Sequence, residues 1–318
     1  MIAKAVNILR HGGLVAFATE TVYGLGADAT NALAIQKIFD AKGRPSTNPL
    51  IVHVADVEIA KRHTTAWPLA ADQLAEKFWP GPLTLVLPKS PAIVAEVTAG
   101  RGTVGLRVPN HPLALELLRA FDGAVAAPSA NRANHISPTS AADVKAELGD
   151  RVDLILDGGP CAVGIESTVI DLTGDRPRIL RPGGISREQI EKIIGPVDLI
   201  RESVDAETSA ASPGQQARHY SPTTPAFWHE RRQTDQLPPR PDAAYLSTDD
   251  VPIGPAVENR YRMPNDPAAY ARELYRTLRL IDSSGYSAIY IELPPDEPRW
   301  VAVRDRLVRA SVRWKIKN

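Results

Sequence analysis

The chain has 318 residues, enough for about two domains at a typical ~150 residues each. Apolar residues make up 43% and charged residues 23%, which excludes a disordered or fibrous polypeptide. Lys+Arg and Asp+Glu both number 37, so the formal net charge is zero. A surface built throughout to coat nucleic acid or an anionic membrane is excluded, although a local basic cleft is not. One cysteine, Cys161, rules out an intramolecular disulfide and any multi-cysteine zinc or iron–sulfur site, and points to a reducing compartment. The first twenty residues carry Lys4, Arg10 and Glu20 without a long apolar core and do not read as a signal peptide. No run approaches the ~18 apolar residues of a membrane span, so a cytoplasmic protein is expected.

In chain order, Leu14–Ala18 is a strand candidate. Leu33–Ala41 is helical, with Leu33, Ile35, Ile38 and Phe39 near a 3.6-residue period and Gly43 at the C-terminal cap position. Leu50–Val54 is a strand, Ala66–Phe78 a helix stopped by Trp79-Pro80-Gly81-Pro82, and Leu83–Leu87 and Thr103–Val108 are strands. Pro112–Ala120 is a helix with proline in its first turn. Strands at Ala124–Ala127, Leu154–Asp157, Thr168–Leu172 and Arg178–Arg181 alternate with helices at Ala141–Leu148 and Arg187–Ile194. This alternation predicts an α/β sheet with helices packed on it over residues 1–200. Residues 201–224 are polar, without apolar period, and read as a linker. Residues 225–318 then supply strands at Ala226–Trp228, Ala243–Ser247 and Ser287–Glu292 and helices at Pro267–Ile281 and Val301–Ala310, a second and smaller α/β domain. Its 15 Lys+Arg against 13 Asp+Glu give no polyanion-binding signature. Proline is in excess, 28 of 318 or roughly 9% against an average ~5%, and clusters at element boundaries, where α/β proteins place binding groups.

Four loops carry candidate chemistry. Lys42-Gly43-Arg44-Pro45 sets two cations at the end of a helix, suited to a phosphate chain; alternatively Lys42 complements the helix C-terminus and Arg44 is solvated. Ala127-Pro128-Ser129-Ala130-Asn131 offers a hydroxyl and an amide to a ligand or to its own turn. Gly164-Ile165-Glu166-Ser167-Thr168-Val169 and Leu180-Arg181-Pro182-Gly183-Gly184 fit a shared crevice, the double glycine allowing close backbone approach. There is no Walker A motif, and Gly24-Leu25-Gly26 lacks the third glycine of a dinucleotide fingerprint. Cys161 reads as an inert packed thiol, and no histidine pair suggests a metal. His53 alternates with Val52 and Val54 and reads as packed, with a pocket-lining role as the alternative, while His11, His63 and His229 are expected at the surface.

Together, Thr19-Glu20-Thr21-Val22-Tyr23-Gly24-Leu25, Lys42-Gly43-Arg44-Pro45 with Asn48-Pro49-Leu50, Trp79-Pro80-Gly81-Pro82-Leu83-Thr84, Pro128-Ser129-Ala130-Asn131 and Glu166-Ser167-Thr168-Val169 resemble the YrdC-like domain in order and spacing. The resemblance covers about residues 1–197. Ser212-Pro213-Gly214, His219-Tyr220-Ser221-Pro222 and the second domain resemble the long, two-domain branch of the L-threonylcarbamoyladenylate synthases. The resemblance implies a twisted mixed α/β sheet around a cationic cavity, plus a Rossmann-like C-terminal domain. It also implies a reaction: L-threonine, bicarbonate or CO2, and ATP give L-threonylcarbamoyl-AMP and pyrophosphate. Other proteins, the tRNA threonylcarbamoyl transferases, would use the product to make N6-threonylcarbamoyladenosine, so tRNA is a partner only indirectly.

By the same resemblance the catalytic tetrad is Lys42, Arg44, Ser129 and Asn131. ATP contacts are Arg44, Asn48, Thr103, Ser129, Ser137, Arg181, His219 and Tyr220, and threonine contacts are Thr21, His53, Arg107 and Ser167. Arg132-Ala133-Asn134-His135 departs from the Ser-Gly that many relatives carry after the Asn. On this reading Arg107 takes the threonine carboxylate, while Lys42 and Arg44, helped by Mg2+ on the ATP, meet the charge on the phosphates. No metal ligated by the protein is expected. The linker is expected to act as a lid, with His219 and Tyr220 over the nucleotide. The competing expectation is an RNA-binding or ribosome-assembly module; balanced charge and the lack of aromatic–basic interleaving count against it. A carbamoyl-transfer module of the hydrogenase-maturation type needs paired Cys-x-x-Cys motifs, which one cysteine cannot supply.

Overall fold

A computed structural model describes residues 1–200, 219–237, 240–248 and 259–315. The chain divides into two compact units, Met1–Ala133 with Ser137–Ala217, and Asn134–Ile136 with Arg218–Asn318. Most of the linker, residues 201–218 with Ser212-Pro213-Gly214, lies outside the described residues.

The first unit contains α1 (Ile2–Arg10), β1 (Val15–Phe17), β2 (Gly24–Asp28), α2 (Ala32–Lys42), β3 (Ile51–His53), α3 (Val57–Arg62) and α4 (Leu69–Phe78). It continues through β4 (Leu83–Pro88), β5 (Thr103–Arg107), α5 (Pro112–Phe121), β6 (Val125–Ala126) and α6 (Ala141–Leu148). Then come β7 (Leu154–Leu156), β8 (Thr168–Asp171), β9 (Arg178–Arg181), α7 (Arg187–Ile194) and β10 (Asp198–Leu199). The ten strands form one open mixed sheet in the order β10-β9-β8-β4-β5-β3-β6-β2-β1-β7.

Local chemistry sets the helix ends. Asn31 caps α2 by accepting from the Ala34 N–H, and Gly43 ends it in the left-handed region. Ser140 with Asp143, and Ser186 with Gln189, close reciprocal capping boxes on α6 and α7. Pro112 starts α5, and Trp79 ends α4 in extended backbone.

In this unit α1, β2, α3 and β10 were not foreseen. The amphipathic α1 buries Ala5, Val6 and Leu9, and the short α3 is capped by Asp56. The glycine-bearing β2 is a strand because β1 and β6 pair with it on either side. Its glycines have a packing role: a Cβ on Gly26 would lie 2.8 Å from the Phe17 ring, and one on Gly24 would lie 3.2 Å from the Ala127 Cβ. One helix-face expectation is corrected: Ile35, Ile38 and Phe39 are buried, but Leu33 is 79% exposed, because it sits in the first turn of α2 on the outer side.

The two faces of the sheet differ. Leu83, Leu85 and Leu87 of β4, Val52 of β3, and Val104 and Leu106 of β5 join the main core. On the other face Ile51, Val86, Val169 and Leu180 make a small separate cluster. Period-two alternation thus gives residues 51, 53, 84, 86, 103, 105 and 107 to a face that is not filled by the core.

The second unit holds β11 (Ala226–His229), β12 (Ala243–Thr248), β13 (Arg260–Met263), α8 (Pro267–Asp282), β14 (Ala288–Glu292), α9 (Val301–Ala310) and β15 (Val312–Arg313). Its sheet, β13-β12-β14-β11-β15, is parallel at every pairing, as a Rossmann-like unit requires. Phe227, Tyr290 and Tyr245 stack across neighbouring strands at 5.9 and 5.3 Å between ring centroids. His229 was expected at the surface but is 2% exposed, because β11 lies inside the sheet and the 3-10 turn Arg231–Gln236 follows it directly. His63 is corrected likewise: it closes α3 and its carbonyl accepts from Ser90, which buries it.

Candidate active site

Helix α2 delivers Lys42 to the loop that follows β6. The Lys42 Nζ donates to the carbonyl oxygens of Ser129 at 2.5 Å and Asn131 at 2.6 Å, and lies 3.4 Å from Asn131 Oδ1. Lys42 is 3% exposed, its ammonium turned inward onto these carbonyls. Burial, with the neighbouring Arg44 charge, holds its ammonium well below the usual lysine range. The loop is pinned from its other side by β2 and the residue before it: Leu25 N–H donates to Pro128 and Ala130 N–H to the Tyr23 carbonyl. Arg44 is half-buried and donates through Nη2 to the Pro49 carbonyl at 3.2 Å. Asn48 is buried beside it.

A second group forms at the end of β5. The Arg107 guanidinium donates Nη1 to the Thr21 hydroxyl at 2.9 Å and Nε to the Gly81 carbonyl at 3.2 Å, and pairs through Nη2 with Glu20 Oε1 at 2.7 Å. His53 is its register partner on β3, and its ring meets Phe17 edge-on at 6.1 Å. Burial, then the Arg107 charge, lowers the His53 pKa to about 3, so the ring is neutral at pH 7. The predicted alternation is present, and His53 is both packed and on the open face.

A third group adjoins the start of β8. The Ser167 hydroxyl shares a hydrogen bond with Thr84 at 2.8 Å and accepts from Arg181 Nη2 at 3.1 Å, while Arg181 Nε donates to the Ser167 carbonyl. Ser137 donates to Glu166 Oε1 at 2.6 Å. The double glycine does what its sequence suggested at one of its two positions: a Cβ on Gly183 would lie 2.3 Å from the Thr168 nitrogen and 2.5 Å from the Glu166 carbonyl oxygen.

On the unfilled face the strands open into a small hollow. Pro49, Ile51, Thr84, Val86, Thr103 and Gly105 are among its walls. The sequence-predicted Thr103 therefore lines it, and Arg44 and Ser167 each hydrogen-bond a lining residue. Glu20, Thr84, Arg101 and Gly105 were missed. Glu20 and Thr84 stand inside motifs already singled out, but only pairing to Arg107 and Ser167 marks them; Arg101 and Gly105 carry no local signal. Cys161 is buried and its thiol is pushed up to about 12, chiefly by burial, which fits the inert reading.

His219 and Tyr220, expected over the nucleotide, lie in the second unit. Tyr220 is fully buried, stacks on Tyr275 at 5.8 Å and lies under the Arg306 guanidinium at 5.1 Å. Asn134 and His135, the second half of the divergent Arg132-Ala133-Asn134-His135, also belong to that unit, where the Asn134 carbonyl accepts from the Ser221 N–H.

Residues 7–183 match the family model described as "Telomere recombination", the Sua5/YciO/YrdC domain, and residues 185–312 match "Threonylcarbamoyl-AMP synthase, C-terminal domain". The chain belongs to the threonylcarbamoyl-AMP synthase family. It is 41% identical to the threonylcarbamoyl-AMP synthase of Bacillus subtilis over 98% of this chain and 92% of that one. It is 36% identical to the Schizosaccharomyces pombe protein of the same name, over 98% and 88%. The crystal structure of Pyrococcus abyssi Sua5 complexed with L-threonine superposes with a TM-score of 0.90 at 38% identity, covering 98% of this chain and 94% of that one. Membership makes the chain a nucleotidyltransferase-type enzyme of tRNA processing and sets aside the RNA-binding module. No helix among the described residues is long and apolar enough to cross a membrane.

Proposed function

We propose that the hollow of the first unit is where L-threonine, bicarbonate-derived CO2 and ATP are combined into threonylcarbamoyl-AMP and pyrophosphate. The observation that carries this is the buried Arg107, set on the same strand face as Thr103 and opposite the neutral His53. Arg107 has the planar fork that a carboxylate needs, and Thr21 already accepts from it. Threonine thus sits at the Arg107 end, with Thr21, His53 and Ser167. The nucleotide sits toward Arg44, Asn48, Thr103, Ser129, Ser137 and Arg181. Arg44 faces the phosphates, and Lys42 with Asn131 holds the loop that presents Ser129.

The chemistry needs no covalent enzyme intermediate. The neutral threonine amine closes an N–C bond on CO2 and gives its proton to water. A carbamate oxygen then bonds to the α-phosphorus as the bond to pyrophosphate breaks. A carbamate is short-lived in water, so the apolar floor of Ile51, Val86 and Val169 protects it. The described residues gather no group of three or more His, Cys, Asp or Glu side chains able to hold a metal. Mg2+ is assigned to the triphosphate as its counter-ion, where it would neutralise phosphate charge. The product passes to proteins that transfer the threonylcarbamoyl group to tRNA.

The test is pyrophosphate release from ATP that depends on both threonine and bicarbonate. Arg107→Ala raises the threonine KM and cuts turnover by on the order of 10²–10³, and Arg107→Lys recovers only part, because a point charge cannot replace a fork. Wild-type threonine KM in Arg107→Ala refutes the assignment.

A further inference from the structure

We propose that Gly105 is the floor over which the two substrates are joined, and that its missing side chain is what lets threonine, CO2 and the α-phosphorus of ATP meet. This rests on the reading that Arg107 holds threonine and that Thr103 touches the nucleotide.

Thr103, Gly105 and Arg107 alternate onto one face of β5. At a rise of ~3.3 Å per residue, Thr103 and Arg107 stand ~13 Å apart with Gly105 midway, ~7 Å from either. The reacting atoms lie between the carboxylate of one substrate and the triphosphate of the other. They therefore lie between the two residues that hold those groups.

The glycine has no other full explanation. Its φ is not in the left-handed region, so the backbone does not require it. A Cβ there would meet Thr84 Cγ2 at 3.1 Å, Ile51 Cγ1 at 3.7 Å and Val86 Cγ2 at 4.0 Å, which asks only a few tenths of an ångström from one methyl. A glycine inside a strand also costs strand propensity and a packing side chain. What it leaves is bare backbone on the floor of the hollow, between the register partners Ile51 and Val86. Both flanks are apolar, which suits a neutral CO2 and keeps water from the carbamate.

The experiment uses the full chain with Gly105→Ala, alone and combined with Thr84→Ser. The serine removes the crowding methyl and keeps the hydroxyl that bonds Ser167. Calorimetry measures ATP alone and threonine alone, and pyrophosphate release measures turnover. The expected result is binary affinity for each substrate within about 3-fold of wild type, with turnover reduced on the order of 100-fold, the cost of a ~1 Å misplacement of reacting groups. The double variant stays equally slow relative to Thr84→Ser, whatever turnover that single variant itself shows. Wild-type turnover in Gly105→Ala overturns the proposal, as does rescue by Thr84→Ser, which would make the loss one of packing. Loss of both binary affinities in a folded variant overturns it too. Should Gly105→Ala not fold, the relieved double variant decides by the same criteria. Wild-type protein that binds neither threonine nor ATP would instead sink the functional reading itself.

Discussion

Replacing Lys42 by Met separates a cation that meets phosphate from one that builds the site. In the structure the ammonium serves two buried carbonyl oxygens, those of Ser129 and Asn131, at 2.5 and 2.6 Å. Met keeps most of the stem's volume and removes the donors. Each carbonyl left without a partner costs ~1–3 kcal/mol, and part returns because a cation no longer has to be buried, so the net loss is about 2–4 kcal/mol. Cys161 is the one cysteine of the chain and is buried in the first unit, so its protection from a thiol reagent reports unfolding of that unit alone. In urea, Lys42→Met should expose Cys161 at a clearly lower midpoint, and the ATP KM should rise because the Ser129 loop is no longer held. The two effects should appear together. An unchanged Cys161 protection curve with an ATP defect would refute the reasoning and return Lys42 to the phosphates.

Other outcomes follow from the same geometry. His53 has its folded pKa lowered to about 3, so the unfolded chain binds a proton below pH ~6.5 that the folded chain refuses. Stability should therefore fall as pH drops through that window, by about 2 kcal/mol at pH 5 from this residue, and His53→Gln should flatten the slope; identical slopes would show the ring protonates freely in the fold. Gly183→Ala drives a Cβ into the backbone of residues 166–168 and should cost about 3 kcal/mol or more while weakening threonine binding through Ser167. Wild-type melting of that variant would contradict the close approach. Iodoacetamide at pH 8 should leave Cys161 unmodified in native protein, its thiol being held near 12, and rapid labelling would show the pocket to be open.

Much of the fold was legible because the relevant forces are local. Helices α6 and α7 match their predicted bounds, since Ser140 and Ser186 open capping boxes and glycine follows each C-terminus. Helix α2 closed on Gly43 for the same reason. The motifs that carried the family resemblance were short, ordered and rich in Pro, Gly and hydroxyl residues at strand ends, where binding groups collect. What stayed illegible depends on neighbours distant in the chain. Strand β2, with glycine at two of its five positions, lacks strand propensity and exists because β1 and β6 flank it.

The amino-acid order alone determined the α/β class and carried the family resemblance. It could not tell how far the core would fill each face of β4, because Leu83-Thr84-Leu85-Val86-Leu87 carries apolar residues on both. Only the assembled sheet sorts Leu83, Leu85 and Leu87 inward and leaves Thr84 and Val86 beside the hollow. Nor could spacing show that Lys42 would be spent on carbonyls 87 and 89 residues away, or that Arg107 would meet Glu20 and Thr21. The use a buried charge is put to is set by which oxygens surround it, and in this chain those oxygens arrive from other strands.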